Sequence, residues 1–159
     1  MIKIHWLFIP IFMIVSCTKK IAKNPELAYS DFALLDSINQ TANNYYKNNA
    51  GAVYPNTGAP HGPFKLRFNA IGFAALINSG KLPTGGKMPN GALIVKEIVD
   101  ANNTTNFYAF MYKRAGSWIW GEIKPNKQVL YGVNKNPSLC INCHSQNINT
   151  DLIRTFQYY

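Results

Sequence analysis

The sequence has little negative charge, few cysteines and no long apolar run. Its 159 residues include 16 Lys and Arg but only 7 Asp and Glu. Three cysteines are too few for a disulfide framework, which excludes a disulfide-stapled scaffold. The apolar stretch near the start, residues 4–15, is shorter than the roughly 20 residues that a stable transmembrane anchor needs.

Apolar side chains are nevertheless abundant enough to form a core. They make up 47% of the chain, and aromatic residues alone account for 13%. This content excludes wholesale disorder, and the length is that of one ordinary domain.

The first residues have the features of an export signal, because Lys3 precedes the apolar stretch 4–15 and Cys17 follows it. The segment Ile14-Val15-Ser16-Cys17 resembles the lipobox of bacterial lipoproteins. This implies that residues 1–16 are a signal peptide and that Cys17 carries the lipid and becomes the new N-terminus. A plain secretory signal and an uncleaved anchor are the alternatives, and both also place the domain outside the cytoplasm.

We therefore expect a lipid-tethered domain, with residues 17–30 as the lipidated N-terminus and linker and residues 31–159 as the folded part. Acyl chains contribute about 0.8 kcal/mol per buried CH₂, so several of them hold a protein on a membrane. The expected location is the periplasm-facing side of the cell envelope. Thr18, rather than an acid, follows Cys17, which indicates the outer membrane by a rule known for some bacteria.

Removal of the signal takes away Lys3 and no acidic residue, which leaves 15 basic against 7 acidic residues and a net charge of +8. Such a surface favours anionic lipid or an acidic redox partner. The basic residues are scattered and no nucleic-acid-binding motif is present, so no nucleic-acid partner is expected.

The apolar pattern predicts an α+β domain, in which flanking helices pack on an antiparallel sheet. Helical spacing predicts one helix from Asp31, as N-cap, through Tyr45, and a second that is capped by Asn69 and ended by Gly80. Strands are predicted over 64–68, 92–99, 107–112 and 118–123. The short connections predict an antiparallel meander, and the pair Asn90-Gly91 predicts a hairpin turn.

The string Cys140-Ile141-Asn142-Cys143-His144 is the attachment signature of c-type haem. In such sites the two thiols add across the porphyrin vinyl groups and the histidine binds the iron. This haem is attached to exported proteins, and the first residues predict that this chain is exported. We therefore predict one covalent haem c, with Cys140 and Cys143 as attachment points and His144 as the proximal iron ligand.

Two other kinds of site use similar spacing. A thioredoxin-like redox pair belongs at the start of a helix in a βαβ unit, whereas this motif follows an antiparallel meander. A structural zinc ion needs four ligands, but His61 is the only other histidine after the signal and no second cysteine pair exists.

The ligand on the other side of the iron determines what a haem does. The 15 residues after His144 contain neither methionine nor histidine, so a sixth ligand would have to be Met88, Met111 or His61. Core packing is the favoured interpretation of Met111, and a surface position that of His61. An iron with an open or water-bearing site is therefore the preferred expectation, and a simple electron carrier is the alternative.

An ordered set of motifs extends this interpretation to a family. The set consists of 88–97, Phe110-Met111-Tyr112-Lys113, 118–122, the haem motif and 151–156. It resembles the cytochrome P-460 family, which includes cytochrome c prime beta, over about residues 61 to 156. The resemblance implies a β-rich domain with an antiparallel sheet and flanking helices, often dimeric, that holds a five-coordinate haem.

The resemblance implies two activities. In cytochromes P-460 a lysine is cross-linked to the porphyrin and the haem oxidises hydroxylamine, and Lys96 stands at that lysine's position. In the c prime beta type there is no cross-link, and phenylalanines crowd the distal face so that nitric oxide or carbon monoxide binds. Phe64, Phe68 and Phe73 are the candidates for such a cap, with plain core packing as the alternative for each.

Hydroxylamine oxidation also requires a positioned base. The only acid shortly after the haem motif is Asp151, which the resemblance instead assigns to a segment that anchors the C-terminal helix. Arg67 is a candidate contact for a haem propionate or a distal ligand, with a surface salt bridge as its alternative. We therefore expect an exported monohaem cytochrome that binds a small gas or nitrogen-oxide ligand or takes part in redox transfer. A hydroxylamine-oxidising enzyme is the first alternative.

Overall fold

A five-stranded antiparallel sheet forms the centre of the computed structural model, which describes residues 30–41, 44–55, 61–77, 80–146 and 149–158. The strands in chain order are β1 (Phe64–Phe68), β2 (Leu93–Val99), β3 (Thr105–Arg114), β4 (Ser117–Ile123) and β5 (Val129–Tyr131). Each strand pairs with its neighbour in sequence, in the order β1-β2-β3-β4-β5. The predicted α+β class and the antiparallel meander are therefore confirmed.

The predicted strands correspond to β1 through β4. In β1, apolar residues at every second position pack on the core, and the register places Phe64 opposite Ile98 and Phe68 opposite Ile94. β3 begins and ends two residues beyond the predicted bounds, because polar residues continue the ladder at both ends. β5 was not predicted, since three residues are too few for an alternating pattern.

The predicted hairpin at Asn90-Gly91 is wrong. These residues form a turn before β2 and do not join paired strands. Gly91 has a φ of 86°, its N–H donates to the Lys113 carbonyl, and the Asn90 side chain accepts a hydrogen bond from the Gly116 N–H. The pair therefore ties the entry of β2 to the turn between β3 and β4.

Short helices flank the sheet. Within the described residues they are α1 (Asp31–Gln40), α2 (Ala70–Ala74), α3 (Ser138–His144) and α4 (Thr155–Tyr158). The N-cap of α1 is Ser30 rather than the predicted Asp31, because the Ser30 hydroxyl accepts from the Ala33 N–H at 3.2 Å. Asp31 instead accepts from the Val133 N–H at 3.0 Å. As predicted, Asn69 caps α2, since its side-chain oxygen accepts from the Gly72 N–H at 2.9 Å.

The first helix is also shorter than predicted. It ends at Gln40, and Tyr45 forms an isolated β-bridge with Arg67 on the outer edge of β1. The second helix likewise ends at Ala74, well before Gly80. After α1 the chain bonds to the sheet through Tyr45, and after α2 the Ile77 N–H donates to the Lys81 carbonyl within the following loop. Local spacing cannot show these later contacts.

The two sides of the sheet have different coverings. On one side, the helix face, α1 packs on Leu93, Val95, Tyr112 and Ile123. On the other side, the cavity face, residues such as Leu66, Ile94, Met111 and Trp120 join a second core with Tyr46, Ile153 and Phe156. A cavity lies between part of the cavity face and α3, the helix that contains the haem motif.

No described helix has both the length and the apolar content for a membrane span. The predicted signal peptide, the predicted lipidation site at Cys17 and the predicted linker through residue 29 lie outside the described residues.

Candidate functional site

The candidate site is a cavity of about 250 Å³ between the cavity face, α3 and the segment that follows the haem motif. The cavity face contributes Ile94, Lys96, Ala109, Met111, Trp120 and Glu122. From α3 and the C-terminal segment come Leu139, Cys140, Cys143, His144, Ile153, Arg154 and Thr155. His61 and Tyr131 complete the polar side chains of the wall, which otherwise is largely apolar.

Helix α3 places the two thiols on the same wall. Cys140 and Cys143 are three residues apart, so they lie about one helical turn from each other and on the same side. Both are free thiols and both are partly exposed. The Arg154 guanidinium donates to the Cys143 sulfur at 3.0 Å. Burial, and then the nearby Glu122 carboxylate, raise the pKa of the Cys140 thiol.

His144 ends α3 and is buried, with 8% of its surface exposed. Its Nδ1 lies 2.6 Å from the Leu152 carbonyl oxygen, and its ring packs edge-on against Trp120 at 4.6 Å between centroids. Burial lowers the pKa of His144 to about 4, helped by the charges of Lys96 and Arg154 and opposed by the Leu152 hydrogen bond. The imidazole is therefore neutral at pH 7, with its hydrogen on Nδ1 and a lone pair on Nε2.

Lys96 extends from β2 into the same cavity. Its Nζ lies 4.4 Å from the centroid of the Phe64 ring. Burial, and then the positive charge of Arg154, lower the pKa of Lys96 to about 8, although Cys143 acts in the opposite direction. A measurable fraction of this amine is therefore uncharged, and hence nucleophilic, near neutral pH.

A carboxylate that sequence reasoning missed also lines the cavity. Glu122 is on β4, two residues after Trp120, so both side chains are on the cavity face. Burial raises the pKa of Glu122. The sequence does show that Trp118, Trp120 and Glu122 alternate along a strand and therefore share one face of the sheet. It does not show which face borders a site.

His61 lies beside this carboxylate, with its Nδ1 3.5 Å from a Glu122 oxygen. Burial, followed by the charges of Lys96 and His144, lowers the pKa of His61 to about 4. At neutral pH the His61 imidazole is therefore neutral, and its contact with Glu122 is not an ion pair.

Two of the three predicted sixth-ligand candidates reach the cavity. His61 and Met111 both line it. Met88 is buried in the core and is not part of the cavity wall.

Arg67, the predicted contact for a propionate or distal ligand, does not line the cavity. Its Nε is 3.2 Å from a Glu97 oxygen, and its Nη1 donates to the Ile38 carbonyl at 3.2 Å. The rings of Tyr45 and Tyr108 flank the guanidinium. The reason is the strand period of two, which turns Arg67 to the helix face while its neighbours point to the cavity face.

The predicted phenylalanine cap does not form the cavity wall either. Phe64 and Phe68 are buried in the core of the cavity face, and Phe73 packs against that core from α2. The pocket is instead walled by Ile94, Met111, Trp120 and Ile153. Phe64 approaches it only indirectly, through its contact with Lys96.

Asp151 forms a buried ion pair with the sheet, and its predicted role in anchoring the C-terminal helix stays a prediction. Its carboxylate accepts from the Lys113 ammonium at 2.8 Å and lies outside the cavity wall. The cavity's carboxylate is therefore Glu122 and not the acid next to the haem motif.

The donor set fits a c-type haem. Two accessible thiols one turn apart adjoin a neutral imidazole with one available nitrogen, and the surrounding wall is largely apolar. Within the described ranges, no three His, Cys, Asp or Glu side chains are grouped to hold a bare metal ion. A haem iron takes four ligands from the porphyrin, so one protein ligand is sufficient.

Comparison with known proteins yielded no match to a family model, to a curated protein or to a solved structure.

Proposed function

We propose that this protein is an exported, lipid-anchored monohaem cytochrome of the P-460 type whose open iron site binds a small gas or nitrogen-oxide ligand. The observation that carries this proposal is one cavity lined by Cys140, Cys143 and His144, whose Nδ1 is held by the Leu152 carbonyl. The five-stranded antiparallel sheet is consistent with the fold that the resemblance implies.

The two cysteines and the histidine of the haem motif would have different tasks. Cys140 and Cys143 would hold the haem by thioether bonds, and His144 would bind its iron through Nε2. The bound haem would supply reversible ligand binding and one-electron chemistry. The Leu152 carbonyl orients the imidazole, because a histidine ligand that donates its other N–H is fixed in tautomer and ring angle.

The cavity wall favours small neutral ligands. The wall presents apolar surface from Ile94, Met111, Trp120 and Ile153. A charged ligand that entered the cavity would lose its hydration without compensation. Nitric oxide and carbon monoxide carry no charge.

An acidic redox partner would be attracted by the net charge of +8 on the chain from Cys17 onward.

Hydroxylamine oxidation is the second candidate, and the position of Glu122 favours it. A base is needed to take protons from bound hydroxylamine, and a carboxylate with a raised pKa inside the cavity is such a base. Lys96, which stands at the position of the family's cross-linked lysine, lines the same cavity. His61 would hold the Glu122 carboxylate in place.

Absorption spectra of the matured protein distinguish these activities. A broad, high-spin ferrous Soret band that changes on titration with nitric oxide or carbon monoxide is the expected result. A ferrous Soret band shifted far to the red, and restored to its ordinary position in K96M, would establish the cross-linked enzyme instead. Sharp low-spin ferrous bands that do not respond to either gas would contradict an open site and support an electron carrier.

The lipid anchor has a separate test. C17S should move the protein from the membrane fraction to the soluble fraction without changing its spectrum. Continued membrane association of C17S would contradict lipidation at Cys17 and favour an uncleaved anchor.

A further inference from the structure

The turn next to His144 has an unusual backbone conformation. Asp151 and Leu152 have φ values of 49° and 65°, in the left-handed region, although neither is glycine. The Thr150 carbonyl accepts a hydrogen bond from the Ile153 N–H at 2.9 Å, so these two residues are the centre of a tight turn. Two successive positive φ values are typical of a type I′ turn, which favours glycine, asparagine or aspartate. Leucine adopts this conformation only where the surroundings impose it.

Asp151 makes the contacts that impose it. One carboxylate oxygen accepts from Lys113 Nζ at 2.8 Å, and the other accepts from the Met88 N–H at 2.8 Å. The Asp151 carbonyl accepts from the Trp118 indole N–H at 2.9 Å. The two charged side chains are almost fully buried, with 4% and 7% exposed. Because the three donors belong to the loop before β2, the end of β3 and the start of β4, the turn is fixed to the sheet.

Leu152, the next residue in the turn, contacts His144 of the candidate site. The Leu152 carbonyl oxygen lies 2.6 Å from His144 Nδ1. A carbonyl can only accept, so Nδ1 holds the hydrogen and Nε2 keeps its lone pair. If the turn relaxed, this carbonyl would move away and His144 would be free to change its tautomer and its ring angle.

We propose that Asp151 is a positioning residue for His144: by fixing the 150–153 turn to the sheet, it holds the Leu152 carbonyl against Nδ1 and keeps Nε2 available to the cavity. Its importance for haem ligation rests on the proposed function, whereas the effect on the imidazole does not. An outer-shell partner of this kind typically changes metal affinity or activity 10- to 100-fold when it is removed.

The first test uses the full chain without haem and ¹⁵N NMR of the histidine rings, which distinguishes the two neutral tautomers. The variants are D151A and D151N, and the matched control is D100A. Asp100 also accepts backbone hydrogen bonds within a turn, from Asn102 and Thr104, but it lies outside the cavity wall. The unchanged chain and D100A should show His144 with its hydrogen on Nδ1 alone.

D151A should lose this pure state and show a mixture of tautomers or the Nε2–H form. D151N should change in the same direction but less, because its amide oxygen still accepts from Met88 while the ion pair with Lys113 is lost. L152G should keep the Nδ1–H form, since glycine accepts positive φ and retains the carbonyl. A folded D151A or D151N that keeps the pure Nδ1–H form would overturn the proposal, as would an equal change in D100A. If D151A does not fold, D151N decides the matter.

The second test uses the haem-loaded protein and resonance Raman spectroscopy. Loss of the hydrogen bond at Nδ1 should lower the frequency of the iron–histidine stretch in D151N and leave it unchanged in D100A. An unchanged frequency in D151N would overturn the role of Asp151 in ligation. A chain that takes up no haem at all would overturn the proposed function, while the tautomer experiment would still decide the role of Asp151.

Discussion

The sheet holds buried charge in different ways next to the cavity and away from it. On the helix face, Arg67 pairs with Glu97 at 3.2 Å and also donates to a main-chain carbonyl. On the cavity face, Lys113 forms a similar pair with Asp151 at 2.8 Å, away from the cavity wall. Next to the cavity, Lys96 lies over an aromatic ring, and the Glu122 carboxyl group lies beside a neutral imidazole. Among the described residues, Lys96 forms no ion pair within 4 Å.

This difference separates a structural pair from a candidate site. Opposite charges that are buried against each other are satisfied within the fold. A buried amine and a buried carboxylate that both face a cavity keep perturbed pKa values, and such groups cluster where proteins bind ligands or do chemistry. Arg67 was predicted for the site and Glu122 was not, yet the structure places them the other way round.

The largest effect should come from breaking the helix-face pair. E97A would leave Arg67 buried beside no carboxylate, so we expect a loss of about 3–5 kcal/mol in the free energy of unfolding, measured with urea. E122Q, on the cavity face, is the matched change and should lose less than about 1 kcal/mol, because Glu122 pairs with a neutral group. Equal losses in the two variants would abolish the distinction between a buried ion pair and the charges next to the cavity.

Acid should act mainly on the cavity face, which both described histidines border. In the folded haem-free chain, His61 and His144 stay neutral down to about pH 4, whereas unfolded histidines bind a proton near pH 6.5. Between these values the unfolded state binds more protons, so stability should fall as the pH is lowered from 6.5 to 4. Each histidine should contribute roughly 3 kcal/mol. H61Q should remove about half of this pH dependence, and an unchanged slope would contradict the assignment.

Close packing on the helix face offers a smaller test. A Cβ added at Gly121 would overlap the Phe110 ring, so G121A should destabilise the protein by about 1–3 kcal/mol in urea unfolding. At Gly62 the added Cβ would meet Ile98 at an ordinary 3.5 Å, and G62A should be close to neutral. A neutral G121A would show that Phe110 is free to move.

The smallest effect is expected at Lys96 itself. K96M keeps most of the apolar chain and removes a buried amine, so the free energy of unfolding should change by less than about 1 kcal/mol. K113M is the matched control on the same sheet, and it should lose about 3–5 kcal/mol because it leaves the buried Asp151 carboxylate without its partner. A large loss in K96M would indicate a structural role like that of Lys113.

Much of the fold could be predicted because its signals are local. The alternation in 64–68 identifies a strand, and an Asn before an apolar run identifies the cap of α2. The haem motif identifies the thiols and the histidine directly. Alternation also shows that Arg67 is on the opposite face of β1 from its two neighbours, but it does not show which face borders the cavity. That depends on where α1 and α3 pack, over contacts of long sequence separation, and so Glu122 could not be chosen from the sequence.

The proposed function requires one covalently attached haem in the cavity. The most direct measurement is the intact mass, under denaturing conditions, of the chain produced with the haem-attachment machinery, beside C140A/C143A as control. We expect the unaltered chain to keep the added mass of one haem after denaturation, and the double variant to lack it. An unmodified mass for the unaltered chain, although it is exported and folded, would contradict the proposed function.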